Sequence, residues 1–311
     1  MPTITQKQPF RLRVDVAYAI ARRIIERRQA GGRADQGEAV ASWEAYAAWR
    51  YNGLRARFRQ FFDESANGKD VLDFGCGDGA LCFVLLESGA KTAHGIDMDE
   101  MVLARFAERL ASHDGERKPT FACSTVPSRI DCPDQSFDAI YCLDVLEHIM
   151  DYKPIIGEWY RVLRAGGSVY IWWQPYWHPF GHHAYNWIPI PWVHVVLSDA
   201  EMTEVCARIV DWDCFDAPIC DRNSDGTKKN RFRMPADGKG FLNRLTVHEF
   251  ETCCAEVGFR LARREFIPFQ QQPARTASRI LTRIPRIRDY FTACAIYELQ
   301  RPNGSAPGLS S

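Results

Sequence analysis

The sequence has no excess of charge of either sign: 39 Lys and Arg stand against 39 Asp and Glu in 311 residues. That balance argues against a general polyanion binder, so no nucleic-acid partner is expected. No apolar run approaches the length of a membrane span, and Met1 to Phe10 lacks the apolar core of a signal peptide. A cytoplasmic protein without stable membrane insertion is therefore expected. Internal repeats are absent. The 11 cysteines include no C-x-x-C pair, and several, such as Cys82, Cys123 and Cys142, fall inside apolar runs, where cysteine acts as a small buried hydrophobe of a reducing compartment. Cys253 and Cys254, adjacent on a helix, face different directions and cannot easily share a metal, so no metal site is expected. What is there is ordinary for a soluble enzyme: 46% hydrophobic and 25% charged residues, enough for one large domain or one domain with additions.

The most informative stretch is DVLDFGCGDGALCFVLLESGAKTAHGIDMD, Asp70 to Asp99. Val71 to Phe74 suits a strand buried on both faces, and Ala80 to Glu87 reads as a helix. Between them Gly75, Cys76, Gly77, Asp78 and Gly79 form a turn that lets the backbone approach a ligand and aims free N–H groups at it. Asp97 closes a second strand signal, Thr92 to Ile96, where an acid that grips ribose hydroxyls belongs. The unit reads as a nucleoside-cofactor site. GCGDGA with Ala80 also satisfies the dinucleotide fingerprint, which leaves an NAD-dependent oxidoreductase open. Asp73 before the first glycine and Asp78 within the turn would repel a pyrophosphate and suit a cationic amino-acid end.

With those acids in place, VLDFGCGDG resembles the first motif of the class I S-adenosylmethionine (SAM)-dependent methyltransferases. SFDAIYCLDVLEHIMDYKPIIGEWYRVLRAGGSVYI, further on, resembles that family's fourth- and fifth-strand segments. The resemblance implies an α/β, Rossmann-like sheet, mostly parallel with an antiparallel last strand, and SAM as cofactor. It implies that Asp73 and the turn of Gly75, Cys76, Gly77 and Gly79 hold the amino-acid end of SAM, with Asp97 on the ribose. Met98 resembles the residue that packs on the adenine, core packing being its alternative. Ser124 and Thr125 stand where the family has an acid for the adenine amine, and a hydroxyl or carbonyl can accept the same bond. The backbone near Leu143 would hold the methionine amine, with Asp144, Glu147 and His148 bordering the acceptor.

Around this core the pattern suggests a helical cap over 1–66, the SAM-binding core over 67–174, a lid or insertion over 175–245, the end of the core sheet over 246–300 and a disordered tail over 301–311. Phe10 to Ala30 is a basic amphipathic helix. Ala39 to Phe62 is a second helix; both suit a cap packed on the core, and the resemblance implies that Trp43, Tyr46 and Trp49 line the pocket. Tyr152 to Arg164 is a helix stopped by Gly166 and Gly167, with the fifth strand from Ser168 to Trp173. Prolines break the aromatic segment from Trp172 to Ser198, which reads as an irregular lid and resembles the PxGHH…PW segment of methyltransferases of bacterial glycan or secondary-metabolite pathways. Its His178 and Tyr185 are substrate-contact candidates. Asp199 to Gly240 shows little periodicity, and Arg275, Arg279, Arg283, Arg286 and Arg288 make either a phosphate patch or a solvated surface.

A sugar hydroxyl is a poor nucleophile at neutral pH and needs a base, for which His148, His182 and His183 are the candidates. The leading expectation is O-methylation of a small polar acceptor, a sugar or natural-product hydroxyl. N- or C-methylation and a non-catalytic SAM-binding protein stand beside it.

Overall fold

The computed structural model describes residues 7–30, 43–124, 126, 128–215, 220–223, 225–234, 242–269 and 274–303. In chain order the elements are α1 Lys7–Ala30, α2 Trp43–Phe61, β1 Asp70–Phe74, α3 Ala80–Glu87, β2 Thr92–Asp97, α4 Glu100–Ala111, β3 Thr120–Cys123 and β4 Phe137–Leu143. There follow α5 Tyr152–Val162, β5 Leu163–Trp173, α6 Val193–Val196, α7 Asp199–Asp211, β6 Asp221–Arg222, β7 Lys228–Lys229, α8 Val247–Val257, β8 Arg260–Ile267, α9 Ala274–Leu281, α10 Arg288–Phe291 and β9 Cys294–Gln300. Thr125 and residues 39–42 lie outside the described residues, so neither the Thr125 contact nor the start of the second helix is addressed. No described helix is long and apolar enough to cross a membrane.

The chain divides into two compact units: 1–43 with 176–241, and 44–175 with 242–311. The division cuts across the expected segments, because α1 goes with the supposed lid and α2 with the core.

The second unit holds a seven-stranded sheet in the order β3-β2-β1-β4-β5-β9-β8. β1 pairs in parallel with β2 and β4, and β9 runs antiparallel to both β5 and β8. This is the Rossmann-like sheet with an antiparallel end that the resemblance implied. Successive residues of a strand point to opposite faces, and both faces are covered. Val71 packs with Phe58, Leu85 and Phe106, and Leu72 packs with Ile140, Trp159 and Phe250. Chain order reverses between β1 and β4, and in such sheets ligands bind beyond the carboxyl ends of the strands at that point.

The first unit is held by an apolar stripe on α1, Val14, Ala17, Ala21 and Ile25, clustered with Val205, Cys206 and Ile209 of α7. Arg13 pairs with the fully buried Glu201 at 2.8 Å, and Arg208 with Asp15 at 2.6 Å. Here the structure corrects the sequence reading, which saw little order beyond Asp199. Ser198 and Glu201 form a reciprocal capping box that starts α7. A second correction concerns α5, which ends at Val162. Gly166 and Gly167 are not its stop but lie within β5, where Leu163 already pairs with Phe137 across an irregularity in register.

Candidate functional site

The turn after β1 is shaped by backbone demands that only glycine meets. Gly75 and Gly77 both have positive φ, +75° and +54°. A Cβ on Gly75 would stand 2.5 Å from Cγ2 of Val145, whereas one on Gly77 would meet nothing closer than 3.6 Å. Gly75 is thus required by packing as well as by conformation, whereas a Cβ on Gly77 would make only ordinary contacts with Val102 and Arg50. Gly75→Ala is expected to destabilise the fold by roughly 2 kcal/mol, combining left-handed strain with overpacking, and Gly77→Ala by about 1 kcal/mol. Urea melts of the two variants check this, and equal losses would contradict the packing argument.

Four of the amides expected to be free in this turn are spent. Gly75 and Cys76 both donate to the carbonyl of Ile96, at 2.9 and 3.0 Å, and Gly79 donates to Cys76 O at 2.9 Å. Gly77 N–H donates to Oδ2 of Asp97 at 2.8 Å. The turn offers space and carboxylates in place of an anion hole. Asp78 is corrected too. It is buried and held by Arg109 and by Arg50 at 3.6 Å, so it anchors the turn to α4 and α2 and does not face a ligand.

Two further acids flank the turn, Asp73 on β1 and Asp97 at the end of β2. Asp97 accepts Gly77 N–H on one oxygen and Asp99 N–H on the other at 3.0 Å, leaving lone pairs on both. Asp73 is buried and accepts only the weak thiol donor of Cys82, at 3.4 Å. Burial pushes Asp73 up to about 7, with Asp97 and Asp78 adding to the rise and Arg50 opposing it. An acid in that state gains most from an arriving cation. The Cys76 thiol is buried and raised by desolvation, and its Sγ would lie 2.7 Å from a Cβ on Gly95. Met98 is 55% exposed, which excludes core packing. Ser124 is half-buried. Its amide donates to Asp97 O at 2.8 Å, and its hydroxyl donates to the later carbonyls of Val126 at 3.2 Å and Arg129 at 3.3 Å.

The end of β4 carries the second half of the site. Leu143 is buried, and Asp144 follows with φ of +59°, a strained value for a residue with a side chain and a common mark of functional sites. Arg57 of α2 pairs with Asp144 and lies 5.4 Å from the ring centre of Trp172. Asp144 Oδ1 and Glu147 Oε2 are buried with no hydrogen-bond partner among the described residues. Burial, reinforced by Asp144, pushes Glu147 up to about 8. His148 is exposed at the end of the same turn. Asn243 fastens that turn from 94 residues away, its side-chain amide donating to Leu146 O at 2.6 Å and Ile149 O at 2.8 Å.

Between its unfolded value of 4.5 and about 8, Glu147 holds its proton more tightly in the fold than in the unfolded chain. Stability conferred by the neutral acid is complete below pH 4.5 and is lost as pH rises toward 8. Glu147→Gln is expected to flatten that decline, read as melting temperature against pH. An unchanged slope would mean that Glu147 is ionised in the fold.

The remaining candidates belong to the first unit or lie on α2. His182 Nδ1 accepts the Ala184 amide at 3.0 Å, and His178 Nδ1 accepts the Phe180 amide at 3.3 Å. Each ring has thereby committed its lone pair, so the neutral tautomer carries its proton on Nε2. Burial pushes both down to about 3, with neighbouring histidines adding to the effect. This corrects the choice of His182 as a base, since it has no lone pair to offer a substrate. His183 and Tyr185 are exposed. Trp43 and Tyr46 lie on α2 with side chains outside the described residues, and Trp49 is 54% exposed.

Sequence reasoning missed Arg57 and Asn243. Arg57 sits among several arginines of α2 with nothing local to distinguish it, and Asn243 acts across the fold.

Residues 72–171 match the family described as a methyltransferase domain. Over these residues the chain carries a methyltransferase domain. Among curated proteins it is similar to a ubiquinone biosynthesis O-methyltransferase of Idiomarina loihiensis, 32% identical over 122 residues, which are 39% of this chain and 49% of that one. A protein of the same description from Hydrogenovibrio crunogenus is 33% identical over 130 residues, 42% and 52% of the two chains. The chain spans about half the length of these curated relatives. A solved SAM-dependent methyltransferase from Mesorhizobium loti aligns over 82% of this chain and 98% of its own, with a TM-score of 0.45 and 19% identity.

Proposed function

We propose that this protein methylates an oxygen of a small polar acceptor, a sugar or natural-product hydroxyl. The observation that carries the reading is the donor set around the turn after β1. The amides of Gly75, Cys76, Gly77 and Gly79 are spent on Ile96 O, Asp97 and Cys76 O, while the Asp73 and Asp97 carboxylates keep lone pairs, a combination that suits a cationic nucleoside and opposes a pyrophosphate. That chemistry separates the reading from an NAD-dependent oxidoreductase. In it, Asp97 takes the ribose hydroxyls, Met98 and Ser124 border the adenine, and Asp73 with the Leu143 backbone faces the amino-acid end.

SAM, held by Asp73, Asp97 and the turn between them, would supply a sulfonium-activated methyl group for transfer to the acceptor oxygen. Asp144 and Glu147 orient the acceptor, and His148 takes its proton. Glu147, neutral up to about pH 8, serves as a hydrogen-bond donor to the acceptor. Oxygen as the methylated atom is supported by the relatives, whose own names describe O-methyltransferases.

The test is incubation with methyl-labelled SAM and a panel of hydroxylated acceptors, followed by mass spectrometry. An O-methylated product is the expected result. Transfer solely to nitrogen or carbon, or tighter binding of NAD than of SAM, would overturn the reading.

A further inference from the structure

The arginines near the end of the chain form neither a plain solvated face nor a set of internal ion pairs. A cavity of about 560 Å³ opens between the carboxyl half of β8, α9 and the turn before α10, with Arg264, Arg279, Arg283 and Arg288 on its walls. Arg264 is held by Glu251 at 3.0 and 3.1 Å. The cavity's one carboxylate, Glu265, is neutralised by Arg263 at 2.7 Å. Arg288 is fixed in place, 4.6 Å over the Phe266 ring with Nε donating to Thr282 O at 3.1 Å. The neighbouring Asp289 spends Oδ2 on the Val247 amide at 3.3 Å. The side chains of Arg279 and Arg283 have no carboxylate partner among the described residues. Three guanidinium groups therefore line a concave site, and among the described residues none of them is in an ion pair with a carboxylate, the arrangement that binds phosphate oxygens in bidentate fashion.

The place of the cavity in the sheet gives it a use. β8 and β5 are both antiparallel to β9, so β8 ends at the same edge as β5 and β4. From the end of β4, where Asp144 and His148 stand, three interstrand steps lead to β8. At roughly 4.8 Å per step this is about 15 Å. The geometry points to an acceptor that carries a phosphate or diphosphate, seated among Arg279, Arg283 and Arg288, with its methylated hydroxyl about 15 Å away at the end of β4. The inference rests on the methyltransferase reading above and narrows its substrate class.

Pyrophosphate titrated into the full chain by calorimetry is the first probe, with SAM titrated separately. Wild-type protein is expected to bind pyrophosphate. Arg279→Gln combined with Arg283→Gln should weaken that binding roughly tenfold or more while leaving SAM affinity and melting temperature unchanged. No binding of millimolar pyrophosphate, or equal binding by the variant, would overturn the site. Ile280 and Ile284 are exposed on and just after α9, so phosphatidylserine vesicles form a second arm. Sedimentation of wild type but not variant with vesicles, without any pyrophosphate binding, would replace the soluble acceptor by a lipid surface and so also overturn the proposal. Absence of SAM binding would instead sink the methyltransferase reading and leave the pyrophosphate result standing.

Discussion

His148→Ala is expected to lower kcat by roughly 10²-fold or more while leaving SAM affinity unchanged, the size of effect general-base removal has in other enzymes. The expectation follows from the groups at the end of β4, with His183 the candidate left in the aromatic segment. Glu147 keeps its proton up to about pH 8 and is a poor acceptor of another. His178 and His182 have committed their lone pairs to backbone amides. His148 is exposed, stands beside the strained Asp144 and rides on a turn that Asn243 holds rigid. A base must be unprotonated to act, so the wild-type rate should fall as pH drops through the imidazole range, at or below about 6.5. The variant should lack that limb. Steady-state rates from pH 5 to 9 decide the matter, and a variant with wild-type kcat and an unaltered profile would remove His148 from the chemistry.

The second large effect is on cofactor affinity. Asp97→Ala should weaken SAM binding by about 1.5 to 3 kcal/mol, roughly 10- to 150-fold, because the ribose hydroxyls lose a charged acceptor. The same carboxylate also receives the amides of Gly77 and Asp99, so its loss frees two donors and loosens the turn itself. Asp97→Asn keeps one acceptor oxygen and should fall between wild type and alanine. Calorimetric titration distinguishes the three, and identical dissociation constants would place Asp97 outside the site.

Much of the sheet could be read from the chain because its signals are local. β1, β2 and β4 are apolar runs bounded by turn residues, and Thr246 with Glu249 announces α8 through a capping box that the structure contains. The same signal at Ser198 and Glu201 stands at the start of a stretch with little periodicity, and the sequence reading gives α7 no place. Gly166 and Gly167 look like a helix stop by residue type alone. Pairing of Leu163 with Phe137, a tertiary event, pulls them into β5. The site divides along the same line. Asp97 and the glycine turn follow from spacing. The spending of the turn amides, the inward rotation of Asp78 and the tautomers of His178 and His182 depend on which atoms the fold brings within hydrogen-bond distance, and no spacing rule reports that.

The apolar stripe of α1 finds its partners in α7, some 190 residues later, as the Arg208–Asp15 pair marks. During synthesis the first helix must therefore wait, its greasy side uncovered, until the ribosome has delivered the chain past Asp211. The sheet strands β1 to β5 are complete well before that moment. The nascent protein thus carries an uncovered apolar stripe while five of the seven sheet strands are already made, which makes this helix a segment for a chaperone to cover.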